Sequence, residues 1–377
     1  MKKNVLIVST FYSQHIQGYL EAIEKTKSTN LFVLLPIHST SKENLRSVSS
    51  VASLYEFKKI NISNQFILLK ILNKIVNFIY QLIQFLKLPI KFDTVEIHYP
   101  TLSVIPFILG AKFKAQRLGL CFWGDDLQLM SRAFGIFMHL SRTMYDYIVS
   151  GNIHFIEIIK NKFKIPWNRL HFICFGSGVL ERMQNVKVNK EDLKHKLKLP
   201  TDSIVITCGY NNSTRQNHHE IIDACEIVSS KLNNLHFLFP MSYPKNEEYT
   251  RKIENRLRSS SLNYTIYKNY LHDDENIELK YVNDILIHIQ ESDGFSAAMA
   301  EYIYAGSVVI NGKWLEYSQF VNKGGFYLTT TKEDLYINLE KAILNLTNYT
   351  NLCTANRRII WELKSWEHNI NRWIQIY

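Results

Sequence analysis

Apolar and polar positions along this chain fall into two successive series of strand-length and helix-length periods. In the first series, residues 5–8, 31–35, 95–98, 118–122 and 147–149 are short apolar runs, with helical spacing between most of them. In the second, residues 204–208, 235–239, 264–267, 285–289 and 308–310 read as strands, the last of them closing the series. Helices are predicted between those strands over 219–231, 247–258 and 273–282, and Glu247/Arg251 and Glu248/Lys252 stand one turn apart as ion-pair partners. Strands that alternate with helices build parallel sheets covered on both faces. The pattern therefore predicts an α/β chain of two Rossmann-like, doubly wound domains, facing one another across a cleft at the carboxyl ends of their strands. The first domain is expected over 1–180 and the second over 181–355, with a polar, Lys-rich linker between Gly178 and Pro200. The aromatic segment 356–377, with Trp361, Trp366 and Trp373, reads as a helix that packs back on the first domain.

One stretch departs from this rhythm. No acid occurs from Phe57 to Phe92, while Lys58, Lys59, Lys70, Lys74, Lys87 and Lys91 do. Between 66 and 88, Lys70, Asn73, Lys74, Asn77, Gln81, Gln84 and Lys87 recur at helical spacing among large aliphatic residues. Charges and amides at every turn argue against a membrane-spanning helix. Two readings stay open: an amphipathic helix packed on the sheet, and a basic helix resting on an anionic membrane surface. Both hold if one face serves each.

The chain has 377 residues, 46% of them hydrophobic, which suits two folded domains rather than a disordered chain. A net charge of +10 suits nucleic acid, an anionic membrane or phosphorylated ligands. No Lys/Arg run of five or more and no RNA-sheet or zinc-knuckle signature is present, so nucleic acid is not an expected partner. The five cysteines, Cys121, Cys174, Cys208, Cys225 and Cys353, form no C-x-x-C pair, as in a reducing cytoplasm, and argue against a disulfide framework or a zinc site. The apolar run after Met1-Lys-Lys is short, so it reads as a first strand rather than a signal peptide. A cytoplasmic location, peripheral on the inner face of the cytoplasmic membrane, is expected.

The chemistry concentrates in Asp293-Gly-Phe-Ser-Ala-Ala-Met-Ala-Glu301, followed by Gly306 and an apolar strand. Ser296 is a suitable N-cap, and Gly294 is expected to permit the turn. The N–H groups of Gly294, Phe295 and Ser296 would then face an anion at a helix N-terminus. Glu301 would lie roughly 8 Å further along the helix, so the two acids could hold two ends of an elongated, polyhydroxylated phosphate ligand. The alternative is a helix with one capping acid and one solvated acid.

This run resembles the donor-site motif of glycosyltransferase family 4 and its relatives with the GT-B fold, with Asp293 where that family usually has Glu. The chain is also similar to the bacterial lipid-linked 4-acetamido-fucosyl transferase group. Further points of resemblance are Gly209-Tyr-Asn-Asn-Ser-Thr-Arg215-Gln-Asn-His218, Phe239-Pro-Met-Ser-Tyr243, Gln290-Glu-Ser-Asp293 and Gly312-Lys-Trp-Leu-Glu-Tyr317. The resemblance covers residues 200–320 well and the first half loosely. It implies that Glu301 binds ribose hydroxyls and that Asp293 sits near the sugar. The Gly294–Ser296 N–H groups would contact sugar and diphosphate, and Arg215 would neutralise the departing diphosphate. Gly209, Asn211, Asn217, Ser242 and Tyr243 would complete the donor site. The family's second basic residue is absent, and Gln216, Asn217 and His218 stand in its place, with His218 as the candidate substitute.

In the first domain, Phe122-Trp123-Gly-Asp125-Asp126 resembles the Trp-Gly-Ser-Asp segment of polysaccharide transferases. That implies a catalytic role for Asp126 and an acceptor-side role for Trp123, with helix capping by Asp125 or Asp126 as the alternative; His98, at the end of another strand, is a further acceptor-side candidate, with a satisfied structural histidine as the alternative. The loop 9–14 lacks the glycine pair often found there in the family. Asp125-Asp126 and Asp273-Asp274 are adjacent pairs rather than Asp-x-Asp, so no metal is expected. The resemblance thus implies metal-independent transfer of a sugar from a nucleotide-diphosphate donor, a UDP- or TDP-sugar, which is a substrate rather than a cofactor. The acceptor would be a glycan or lipid-linked glycan in bacterial surface polysaccharide assembly. The acid pair favours retention, and the fucosyl group leaves stereochemistry open. A nucleotide-sugar epimerase of the same fold and a non-catalytic nucleotide- or glycan-binding subunit stay open as alternatives.

Overall fold

Strands flanked by helices on both sides are buried along most of their length, and here Val5–Val8 and Ile285–Ile287 have no solvent exposure. The structure, a computed structural model, describes residues 2–9, 14–35, 53–57, 60, 67–186 and 188–377. Lys58, Lys59 and most of the loop 9–14 lie outside the described residues. The chain divides into two units, Met1–Gly176 with Trp366–Tyr377, and Ser177–Ser365.

The first unit is a parallel sheet of β1 (Lys3–Ser9), β2 (Thr29–Leu35), β3 (Ser53–Glu56), β4 (Phe92–His98), β5 (Ala115–Phe122), β6 (Tyr147–Ser150) and β7 (Leu170–Phe172). The strand order is β3-β2-β1-β4-β5-β6-β7, so the winding reverses between β1 and β4. The register sets Ser9 beside His98 and His98 beside Cys121, which levels these three carboxyl ends. Strands β3 and β7 have no counterpart in the sequence reading: β3, Ser-Leu-Tyr-Glu, is not an apolar run, and the three residues of β7 are too few to show a period.

The second unit is a parallel sheet of β8 (Ile204–Cys208), β9 (Leu235–Pro240), β10 (Tyr264–Tyr267), β11 (Ile285–His288), β12 (Val308–Gly312) and β13 (Leu328–Thr330), in the order β10-β9-β8-β11-β12-β13. The series does not close at residue 310: three residues of β13 pair with β12 beyond it. The stretch expected as a linker holds two short helices, Gly178–Met183 and Lys190–Lys196, and belongs to this unit. Glu248 pairs with Lys252 at 2.8 Å as expected, whereas Glu247 pairs with Lys245 at 3.0 Å rather than with Arg251.

The C-terminal segment is two helices rather than one. Asn356–Lys364 packs on the Ala297–Ala305 helix of the second unit. Ser365 is extended, with ψ at 148°, and breaks the run. Trp366–Gln375 then packs on the Gln14–Lys25 helix of the first unit. Its Trp373 has no exposure and meets Tyr19 edge-on at 5.0 Å and Phe175 at 4.9 Å. Trp366 and Trp373, seven residues apart, are thus a buried face of the second helix, while Trp361 is half-buried on the first.

Candidate functional site

The winding of the second sheet reverses between β8 and β11, the position where open α/β sheets present two diverging loops at their carboxyl ends. Gly209, with φ +67°, turns the chain out of β8. A Cβ there would lie 2.8 Å from Gln216 Oε1, so only glycine lets the loop close on itself. Gln216 Oε1 accepts the Tyr210 N–H at 3.2 Å, and Gln216 Nε2 donates to Gln290 Oε1 at 2.7 Å. The Tyr210 hydroxyl donates to the same Gln290 oxygen at 3.0 Å. Asn217, left-handed at φ 60°, donates through Nδ2 to the Ile289 carbonyl at 2.6 Å. The Glu291 N–H donates to the Arg215 carbonyl at 2.9 Å. The two loops are therefore one hydrogen-bonded platform.

Arg215 lies on this platform in the short turn Thr214–Gln216, its Nε 3.6 Å from Glu291 Oε2. A second cation arrives from the segment after β13: Lys332 Nζ donates to Asn217 Oδ1 at 2.9 Å and pairs with Glu220 at 3.2 Å. Sequence reading missed Lys332, because nothing local marks a lysine 115 residues from its partner. His218, the candidate second cation, is fully buried. Burial pushes its pKa down to about 3, and its Nδ1 lies 3.0 Å from the Tyr249 hydroxyl. It is neutral at physiological pH and brings no charge to a phosphate.

The other loop builds the Asp293 turn. Asp293 Oδ2 accepts the Ser296 N–H at 2.8 Å and the Tyr317 hydroxyl at 2.6 Å, with His288 Nε2 at 3.5 Å. Burial alone would raise this carboxyl, but His288, Tyr317 and the Ser296 N–H outweigh it and hold the pKa below the ordinary value. Burial, together with the same carboxylate, pushes the Tyr317 phenol well up. Tyr210 stacks on His288 with centroids 5.6 Å apart. The residue that carries the turn's left-handed backbone is Phe295, at φ 73°, and not Gly294. Such a backbone is costly for an aromatic residue. It is held by burial against Tyr317 and by the Lys364 ammonium 4.8 Å from the ring centre. Ser296 caps the Ala297–Ala305 helix by accepting the Met299 N–H at 3.1 Å, as expected. Of the three N–H groups expected to face an anion, that of Ser296 is taken by Asp293. Those of Gly294 and Phe295 have no acceptor among the described residues.

Glu301, inside the same helix, is buried at 5% exposure. Its carboxylate pairs with Lys280 at 3.1 Å and accepts from the Ser177 hydroxyl at 2.7 Å. The acids therefore hold different groups: Asp293 ties its own turn, and Glu301 ties the helix to Lys280 and to the start of the unit. Nearby, Asn211 Oδ1 accepts the Ser213 N–H at 2.9 Å, and Asn212 N–H donates to the Tyr243 carbonyl at 2.6 Å. Tyr243 is 58% exposed, and Ser242 lines a cavity with Asn212, Thr250, Arg251 and Lys268.

The first-unit residues are placed differently from their expected roles. His98 has no exposure, and its Nε2 lies 2.8 Å from Glu96 Oε1. Glu96 also accepts from the Tyr147 hydroxyl at 2.7 Å and from Tyr19. Burial would raise the Glu96 pKa, yet His98, Tyr19 and Tyr147 hold it low. His98 is thus a core group held through Nε2 by Glu96 and closed to solvent, while its Nδ1 has no partner among the described residues. Asp126 is also buried, and Oδ1 accepts the N–H groups of Trp123, Gly124 and Leu127 at 3.0, 2.8 and 3.0 Å. Burial pushes its pKa up to about 7 against those three donors. From inside the first turn it holds the entry to the Asp125–Gln128 helix, whose N-cap is Gly124. Trp123 is half-buried and stacks on Phe175 with centroids 3.9 Å apart.

No family model and no curated protein matches this chain. Its fold does match solved structures. HepE of Anabaena, solved in complex with UDP and glucose, superposes with a TM-score of 0.73 at 11% identity, covering 99% of this chain and 98% of that one. A glycosyltransferase from Rickettsia africae matches with a TM-score of 0.74 at 15% identity, covering 100% and 98%. Sucrose-phosphate synthase from Thermosynechococcus elongatus matches with a TM-score of 0.73 at 11% identity, covering 100% and 98%. At these identities the likeness establishes the fold, which is GT-B.

Proposed function

We propose that this chain is a glycosyltransferase that moves a sugar from a nucleotide-diphosphate donor, with the diphosphate seated on the loops after β8 and β11. The observation that carries this reading is the platform itself. Its hydrogen bonds join the Arg215 turn, which Lys332 reaches through Asn217, to the loop that leads into the Phe295 turn and the Ala297–Ala305 helix. Such an array suits a ligand on which negative charge grows. In the transfer step the anomeric C–O bond breaks and its electron pair leaves with the diphosphate. The acceptor oxygen bonds to the anomeric carbon, and in the retaining course its proton passes to the departing phosphate. Arg215, Lys332 and the Gly294 and Phe295 N–H groups would stabilise that charge, which lowers the barrier. Glu301 would take the ribose hydroxyls on acceptor capacity left beside Ser177, since each carboxylate oxygen has two acceptor directions. Asp293 would position the sugar through its turn.

A UDP-sugar is the favoured donor, because HepE was solved with UDP-glucose bound. The acceptor is proposed to be a glycan or lipid-linked glycan of a surface polysaccharide. A thermal-shift series with UDP, TDP, GDP, CDP and CMP tests the donor. A ligand at about 100 times its Kd stabilises the native state by about 2.7 kcal/mol. UDP or TDP should raise the Tm and CMP should not; no shift with any nucleoside diphosphate would remove the reading.

A further inference from the structure

The Ile67–Leu86 helix is mounted with its polar face inward. Asn73, Asn77 and Gln81, four residues apart in succession, are 7%, 7% and 6% exposed. Asn77 binds the backbone of Ile60 in both directions, accepting its N–H at 3.0 Å and donating to its carbonyl at 2.9 Å. It also donates to the Asn73 side chain at 2.8 Å. Among its described side chains, the one apolar group fully buried is Phe85 near its end, which with the half-buried Leu82 meets Gly110. The opposite face carries Ile71, Leu72, Ile75, Ile79, Ile83 and Leu86, each 38% to 51% exposed. At 100° per residue these six cover an arc of about 120°, and they run about 22 Å along the axis. The usual surface helix does the reverse, turning its apolar stripe to the core.

We infer that this helix lies flat on an anionic lipid surface with the isoleucine arc inserted among the acyl chains. Charge selects this occupant over a protein partner of mixed charge. Lys70, Lys74, Lys87 and Lys91 are exposed on or beside the helix, and none pairs with an acid among the described residues. Lys114 adds a further cation at the C-terminal end, bonded to the Leu88 carbonyl. No acid occurs from Phe57 to Phe92 to repel a phosphate surface. At 100° per residue Lys74 and Lys87 stand about 60° and 40° outside the two edges of the arc, while Lys70 lies on the amide side; an apolar arc flanked by lysines is the pattern of an interfacial helix, whose binding adds apolar burial to attraction by anionic headgroups. Among the described residues no helix is long and apolar enough to cross a membrane, so the helix lies on the surface.

The test is co-sedimentation of the full chain with vesicles of phosphatidylcholine alone or with phosphatidylglycerol added, without donor or acceptor. The result is therefore independent of the donor site. The double variant Ile75→Ser/Ile79→Ser changes two exposed side chains, so its folding should match wild type by circular dichroism. Wild type should bind the anionic vesicles, weaken about tenfold or more as salt rises, and lose about tenfold or more in the double variant. Three results would overturn the inference: wild type remaining in the supernatant, equal binding to both vesicle types, or undiminished binding by the double variant. A concentration-dependent dimer that the double variant abolishes, without vesicle binding by wild type, would instead assign the arc to a second copy.

Discussion

Arg215 and Lys332 reach one short turn from distant parts of the sequence, and the difference between them can be measured. Arg215→Ala should lower turnover of a nucleotide-sugar by about 100-fold or more while changing nucleotide affinity far less, because its charge matters most as the diphosphate leaves. Equal losses in affinity and turnover would make it a ground-state contact only. Glu301 needs a different expectation from the one its motif suggests. Removing it strands the buried Lys280 ammonium, so Glu301→Ala should destabilise the fold by about 3–5 kcal/mol, as read by urea unfolding. A loss below about 1 kcal/mol would mean that the pair is not held in solution. His218 gives a pH signature. Its folded pKa of about 3 lies below the usual 6.5, so the unfolded chain binds more protons between these values. Its contribution to stability is full above about pH 6.5 and is lost as pH falls toward 3. His218→Gln should flatten the acid slope by up to about 1.4 kcal/mol per pH unit, and an unchanged slope would contradict a neutral buried imidazole.

At the scale of elements, the turn ahead of the Ala297–Ala305 helix joins fold to chemistry, and Ser296 is its simplest handle. Ser296→Ala removes the cap on Met299 and should cost about 1 kcal/mol, read by thermal or urea unfolding; an unchanged stability would show that the cap is not made. How much was legible beforehand depended on length and on direction. Strands of four residues or more inside long apolar runs, such as β8 and β11, were found nearly to the residue. The three-residue strands β7 and β13 were not, because they take their pairing from the sheet rather than from any period of their own. The Ile67–Leu86 helix shows a second limit. Periodicity identified its two faces, but not that hydrogen bonds to Ile60 would draw the amides inward and leave the isoleucines outside. The Asp293 motif was visible as spacing, and Tyr317 stood in a segment that carries the resemblance, but nothing in the sequence tied Tyr317 or His288 to the Asp293 carboxylate.

For the whole molecule, the C-terminal segment matters because it divides its two helices between units at Ser365. Trp373, buried against Tyr19 and Phe175, should carry much of the second helix's attachment, and Trp373→Ala should destabilise the first unit by about 3–5 kcal/mol. Urea unfolding that leaves the first unit unchanged would contradict that packing. The proposed donor platform and the proposed lipid-binding helix are independent of one another. The donor platform is tested most directly by photo-crosslinking with a 5-azido-UDP-sugar followed by peptide mapping. Label that UDP competes away is expected on peptides containing residues 209–218, 241–246 or 290–296. Competable label confined to the first unit, or none at all, would contradict it.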